Sequence, residues 1–283
     1  MLAGMEFGVL AFPQEETMLP AELAVAVEER GFESLWFPEH SHLPLDSSRW
    51  PGGAVIPDGY AKTLDQFVAL TAAAAVTERV KLGTGICLVP QHHPAWFAKR
   101  VATLDVLSGG RVLLGIGFGW NPAELADHGV AYADRRDVTR ETILAAKALW
   151  TEDVASFDGE HVSLSPSQAW PKPVQKPHPP IIIGAGGGPK LYAAVAEYAD
   201  GWGPLRGRDD IDNHLGPVRE SWAAAGRDPD LLDITVFSAP TDIDELKVLA
   251  DAGVTRAVFN APVAGPDKVL RSLDRSADLA RSL

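Results

Sequence analysis

The chain has 283 residues, 46% of them hydrophobic, with 25 Lys and Arg against 38 Asp and Glu for a formal net charge of −13. That balance, with no block of basic residues, argues against nonspecific nucleic-acid binding, which needs a basic face to displace counterions. No segment approaches the ~20 uninterrupted apolar residues of a membrane span. The lone cysteine, Cys87, cannot form an internal disulfide, which fits a reducing cytoplasm.

The first residues move without a basic leader into an apolar run over 5–11, a first strand rather than a signal peptide. A helical pattern over 20–30 follows, then a strand at 34–37. A long connection from Pro38 to Lys62, carrying Trp50 and several glycines, is expected to roof a pocket, because loops of this length are usually functional. Helix 63–77, strand 80–88, helix 94–107 and strand 111–116 come next, then helix 136–150. The segment 163–180, with a small hairpin before it turning at Asp158-Gly159, is too proline-rich for helix or central strand. It stands either as a surface excursion or as a flap over the mouth, with Trp170 as anchor and Lys172 and Lys176 as cations. Strands at 180–184, 201–204, 233–238 and 256–260 then alternate with helices at 189–199, 210–225, 241–252 and 266–281.

Eight strands and eight helices in alternation, with near-continuous Val/Ile/Leu strands, indicate a parallel sheet buried on both faces. The expected fold is α/β, one (β/α)8 TIM barrel over 1–283 with a Pro-rich excursion at about 151–180 between helix 4 and strand 5. An open doubly wound sheet would need a linker between two halves, and 163–180 is the only candidate.

In such a barrel the chemistry gathers where strands end. Strand two ends in Glu39-His40, and a mouth histidine can relay protons near neutral pH. Gly83 and Gly85 inside strand three mark a bulge or a close backbone approach. His92 and His93 are adjacent and point apart, so no metal site is expected. Strand four ends in Gly117-Phe118-Gly119-Trp120, where bare backbone lets a flat ligand lie close. After strand five, Gly186-Gly187-Gly188 enters a helix at Pro189, an arrangement that presents free N–H groups to a phosphate. Neither glycine run is a clean dinucleotide fingerprint.

Several of these pieces together resemble the bacterial-luciferase-like superfamily, whose barrels use reduced flavin or the deazaflavin coenzyme F420. They are Glu39-His40, Gly83-Thr-Gly-Ile86, Pro94 through Leu107-Ser-Gly-Gly-Arg111, Gly115-x-Gly-x-Gly-Trp120 with Glu124, and Ile183-Gly-Ala-Gly-Gly187 with Asp200-Gly201. The likeness is closest to the F420-using branch. It implies a non-proline cis peptide at Gly85–Ile86 against the ring, with Glu39 and His40 at the ring edge as acid or base. Gly117, Phe118 and Gly119 would lie near the cofactor, and Gly186, Gly187 and Gly188 would hold its phosphate. Asp105 and Arg111 are expected to form a structural ion pair.

In the sugar-phosphate dehydrogenases of the superfamily an acidic residue follows the strand-four glycines, whereas Trp120 stands there in this chain, and Arg206 and Arg208 are the nearest basic candidates for gripping a phosphate. Phe12, Trp50, Trp120 and Trp202 point instead to an apolar or aromatic small-molecule substrate. The resemblance thus implies hydride exchange with coenzyme F420, with Lys172 and Lys176 steering its anionic tail. The alternatives are an FMN-dependent two-component monooxygenase fed by a separate reductase, and a non-catalytic flavin-binding barrel. A homodimer through the second and third helices is also implied.

Overall fold

The computed structural model describes residues 4–45, 47 and 56–283, so Trp50 lies outside the described residues. β1 (Glu6–Leu10) leads to α1 (Pro20–Glu29), β2 (Ser34–Phe37), the short α2 (Gly59–Lys62) and α3 (Gln66–Ala74). The third strand is split into β3 (Lys81–Thr84) and β4 (Cys87–Leu88), followed by α4 (Pro94–Leu107). β5 (Val112–Gly117), α5 (Pro122–Asp127) and α6 (Arg135–Thr151) form the fourth unit, and a hairpin of β6 (Ala155–Asp158) and β7 (Ser163–Ser167) follows. β8 (Ile181–Ile183), α7 (Pro189–Tyr198), β9 (Gly201–Trp202), α8 (Ile211–Ala224), β10 (Asp233–Phe237), α9 (Ile243–Asp251), β11 (Arg256–Asn260) and α10 (Pro266–Arg281) complete the barrel.

The sheet runs β3-β2-β1-β11-β10-β9-β8-β5-β4, and β3 also pairs with β5, so the ring closes. With β3 and β4 counted as one split strand, it is the expected eight-stranded parallel barrel. Leu10, Trp36, Leu113, Ile182, Phe237 and Val258 fill its interior, while their neighbours along each strand pack outward against the helices. This alternation on fully buried strands explains why the strands read as unbroken apolar runs. Gly83 is bare because the Trp36 ring occupies the space a side chain would need.

The peptide between Gly85 and Ile86 is cis and separates β3 from β4. It turns Ile86 inward over two other glycines: a Cβ on Gly184 would lie 2.9 Å from Ile86, and one on Gly117 would collide with the same side chain. Glycines at the ends of two neighbouring strands, Gly117 and Gly184, thus make room for one bulge.

The structure corrects two expectations about charged residues outside the mouth. Asp105 and Arg111 do not pair. Asp105 accepts from the Gln175 backbone N–H at 2.9 Å and side-chain amide at 2.7 Å, whereas Arg111 donates to the carbonyls of Ser108, Ala74, Thr77 and Val80. Asp105 thus holds the proline-rich segment through Gln175, while Arg111 caps the carboxyl ends of α3 and α4.

The proline-rich segment is also not a flap over the mouth. Its Gln175 is tied to the carboxyl end of α4, and Lys172 donates to the carbonyls of Leu149 and Glu152 at the end of α6. Lys176 bonds Pro173 O at 3.0 Å. Helices of a βα barrel run antiparallel to its strands, so their carboxyl ends lie at the face opposite the mouth. Lys172 serves as a cation on a helix carboxyl terminus, and Trp170 is exposed.

Candidate active site

At the carboxyl ends of the strands lies a cavity of about 170 Å³. Leu10 and Phe12 enter it from β1, Glu39 and His40 from β2, Gly85 and Ile86 from the bulge, and Phe237 from β10. Trp120, Tyr60, Gly184, Gly203, Leu205 and Arg208 close the remaining sides. Leu10, Phe12, Tyr60, Leu205 and Arg208 are shared with an adjoining cavity of about 750 Å³, so the two form one cleft. The walls are largely apolar with a few polar groups converging, the usual composition of a small-molecule site.

The polar centre is His40. Its Nδ1 lies 2.9 Å from Glu124 Oε2, and the two side chains are only 4% and 1% exposed. On the other ring nitrogen, Trp120 Nε1–H donates to Nε2 at 3.3 Å. A tryptophan can only donate, so Nε2 is the acceptor and the Nδ1 proton faces the carboxylate. The partner comes from α5, a short helix that the sequence pattern did not announce. Asn121 caps it by accepting from Ala123 N at 3.1 Å, and Pro122 occupies its first turn, so Glu124 turns inward. The next loop residues extend the join. Ser41 Oγ is 2.7 Å from His128 Nε2, and His42 Nε2 is 2.9 Å from Asp127 Oδ2. Burial, with the neighbouring His42, holds the His128 imidazole below its usual pKa.

Glu39, expected beside His40 at the ring edge, bonds elsewhere. One of its carboxylate oxygens accepts from Leu88 N at 2.6 Å, and His92 Nε2 lies 2.9 Å from the other. Burial works to raise its pKa, but His92 and the Leu88 amide outweigh it and leave the carboxyl lowered. Glu39 thereby fastens β4, just beyond the cis bond. Cys87 completes the cluster, its thiol pushed up by burial and by Glu39. Three potential metal ligands meet there, yet the hydrogen bonds are those of a self-satisfied cluster. Arg100 donates to His92 Nδ1 at 3.3 Å, so the proton sits on Nε2, facing Glu39. A metal-bound histidine has the reverse arrangement, its free nitrogen donating outward.

The remaining expected residues divide. Phe12 and Trp120 line the cavity; Trp202 does not. It is fully buried outside the mouth, donating to Ala185 O at 2.8 Å. Phe118 also turns away from the mouth and packs beneath Arg136, because strand residues alternate sides and Gly117 already faces the bulge. Gly119, with φ of +77°, turns the chain against Leu125. Gly184 on the cavity wall leads directly into the turn at Gly186, Gly187 and Gly188, placing the two predicted cofactor patches at one end of the barrel. The N–H groups of those three glycines and of Lys190 have no acceptor among the described residues.

Tyr60, Phe237 and Leu205 were not anticipated as walls. Phe237 and Leu205 belong to strand ends or the loops that follow them, and a count of aromatic mouth residues could have included Phe237. Tyr60 comes from the long loop and shows its role only once that loop folds over the barrel. No described helix is long and apolar enough to cross a membrane.

A sequence profile of the luciferase-like monooxygenases matches residues 5–267. The chain is 42% identical over 279 residues to an uncharacterized protein of Mycobacterium tuberculosis, covering 96% of this chain and 98% of the relative. It is 32% identical over 254 residues to the F420-dependent glucose-6-phosphate dehydrogenase of Kineococcus radiotolerans, covering 87% and 68%. The crystal structure of a monooxygenase, RslO1 from Streptomyces bottropensis, superimposes with a TM-score of 0.79 at 20% identity, covering 98% and 99% of the two chains. The chain belongs to the luciferase-like monooxygenase family.

Proposed function

We propose that the protein is an oxidoreductase that exchanges a hydride between coenzyme F420 and a small, apolar or aromatic organic substrate. The observation that carries this is the placement of the buried His40–Glu124 pair and the Ile86 bulge on one cavity. The wall of that cavity continues at Gly184 into a turn of unpaired amides. The F420-dependent relative at 32% identity supports the choice of cofactor.

The residues present fit such a group. Gly85, Gly184 and Gly203 bare their backbone to the cavity, and a Cβ on Gly203 would lie 2.9 Å from Phe237. The amides at Gly186 to Gly188, at the positive end of α7, suit a phosphate. When bound, the coenzyme would supply a hydride at the central carbon of its ring. His40 would hold or release a proton at Nε2 on the substrate side once the Trp120 N–H yields, while Glu124 keeps the ring oriented and stabilises its charged form. Phe12, Leu10, Phe237 and Tyr60 would exclude water and set the apolar preference. Glucose 6-phosphate fits this mouth poorly, because Arg206 is paired with Glu245 and Arg208 with Asp209.

The family's monooxygenases supply an alternative, an FMN enzyme that receives reduced flavin from a separate reductase. The third possibility is a barrel that binds flavin without turnover. Side-by-side fluorescence titration with F420 and FMN tests all three. F420 is expected to bind more tightly, and turnover is expected to persist under strict anaerobiosis. Preferred FMN binding with oxygen-dependent turnover would establish the alternative instead. We propose in addition that the protein works as a homodimer in the cytoplasm.

A further inference from the structure

Beside the glycine turn, on the outer side of the barrel, a groove of about 320 Å³ lies between α6 and α7. Its upper wall holds Phe118 with the guanidinium of Arg136 stacked 4.2 Å from the ring centroid. Arg136 is half-buried, yet it has neither a hydrogen-bond acceptor nor a carboxylate partner among the described residues. Lys190 lines the same groove, two positions past Gly188, and is likewise unpaired among the described residues. Arg140 is also present but is neutralised by Glu197 through a bidentate pair. The one remaining acid, Asp137, is exposed. Two unpaired cations against one surface carboxylate leave the groove positive in a chain of net charge −13.

An arginine held over an aromatic face by a cation–π contact keeps its N–H groups available to fork a carboxylate. A half-buried cation without a partner is costly in an otherwise acidic molecule, so the groove suits a ligand that brings the missing anion. The amides of Gly186 to Gly188 open beside it and suit a phosphate. A ligand anchored there and extending into the groove would carry carboxylates beyond its phosphate. FMN ends at its phosphate, whereas coenzyme F420 continues into a chain of glutamates.

We infer that the Arg136–Lys190 groove is a subsite for the carboxylate-bearing tail of the deazaflavin coenzyme. This rests on the F420 assignment above and replaces the expected role of Lys172 and Lys176, which lie at the opposite face. Phe118 acquires a purpose distinct from ring contact: it is the platform that holds Arg136 unpaired.

The test is a fluorescence titration of the full chain with two forms of F420, one bearing several glutamates and one ending at the phospholactyl group. Wild type is expected to bind the tailed form about threefold to tenfold more tightly, the range for one or two partly exposed charge pairs. Arg136→Gln is expected to abolish that preference, and Lys190→Gln and high salt to reduce it, with binding of the short form unchanged. Lys190 is exposed, so its variant carries the test if Arg136→Gln proves unstable. Equal binding of both forms by wild type would overturn the tail subsite while leaving the F420 assignment standing. Equal weakening of both forms in both variants would do the same. If neither form binds, both proposals fall together.

Discussion

Glu124 is the residue on which the proposed chemistry turns. In the sequence Glu124 is only part of a family-like stretch, and Trp120 stands where the sugar-phosphate dehydrogenases carry an acid. The structure resolves this by bringing a carboxylate from one helical turn later, since α5 carries Glu124 into contact with His40 while Trp120 caps the other ring nitrogen. A glutamine at 124 would fill the same space but could not stabilise an imidazolium. Glu124→Gln is therefore expected to lower kcat by about 10²- to 10⁴-fold, with KM and the cofactor affinity nearly unchanged. Steady-state kinetics beside a cofactor titration check this, and unaltered kcat would remove His40 from proton transfer. Glu39 was readable as a mouth residue, but its partner was not. Its neighbour in sequence, His40, points to a different helix, so Glu39 engages β4 and His92 instead.

The elements were readable wherever burial imposed a long period. α4 and α10 fall at their predicted boundaries, as do β2 and β11. α2 and α5 were missed, being helices of 4 and 6 residues and too short to display a helical period. The prolines mark 163–180 as irregular in the sequence, but its face of the barrel follows only from the contacts of Gln175 and Lys172 at the ends of α4 and α6. The outer faces of α3 and α4, which lie side by side, expose Val68, Trp96, Val106 and Leu107, with Val76 just past the end of α3. Exposed apolar side chains on two adjacent helices are the kind of surface that subunit contacts cover, and they fit the proposed homodimer. Light scattering is expected to give twice the chain mass of 30.3 kDa, and Val68→Glu with Trp96→Asp to halve it. A monomeric wild type would count against these helices as the interface.

At the scale of the whole barrel, several carboxylates act as fasteners. Glu28 accepts from the backbone amides of residues 78–80 and Glu141 from those of residues 160–162, each tying a helix to a following connection. Glu33 meets Arg256 at the face opposite the mouth, with Asp233 on the other side of that guanidinium. Burial works to raise the pKa of Glu33, but Arg256, Lys81 and Ser34 together lower it. Glu28 and Glu141 are lowered by their amide bonds against the same opposing effect. A carboxylate with a lowered folded pKa contributes stability above its unfolded value, and that stability drains as pH falls through the folded one. The thermal midpoint is accordingly expected to be flat near neutrality and to fall steeply below about pH 4.5, the ordinary glutamate value. Glu33→Gln should flatten that acid limb, and an unchanged acid limb in the variant would rule Glu33 out as a contributor.

The sequence by itself determined the repeating βα order, the closed parallel barrel and the glycine positions at strand ends. These follow from local periodicity and from which residues tolerate bare backbone, both properties of short stretches. It also placed His40 at the mouth, because a residue ending a barrel strand has nowhere else to go. Only the tertiary structure decided which carboxylate faces His40, which cations remain unpaired, and which end of the barrel the proline-rich segment occupies. Those outcomes depend on side chains from elements far apart in sequence, such as β2 and α5, meeting once the ring closes. Pairing across that distance is set by strand register and helix rotation, neither of which leaves a period in the chain.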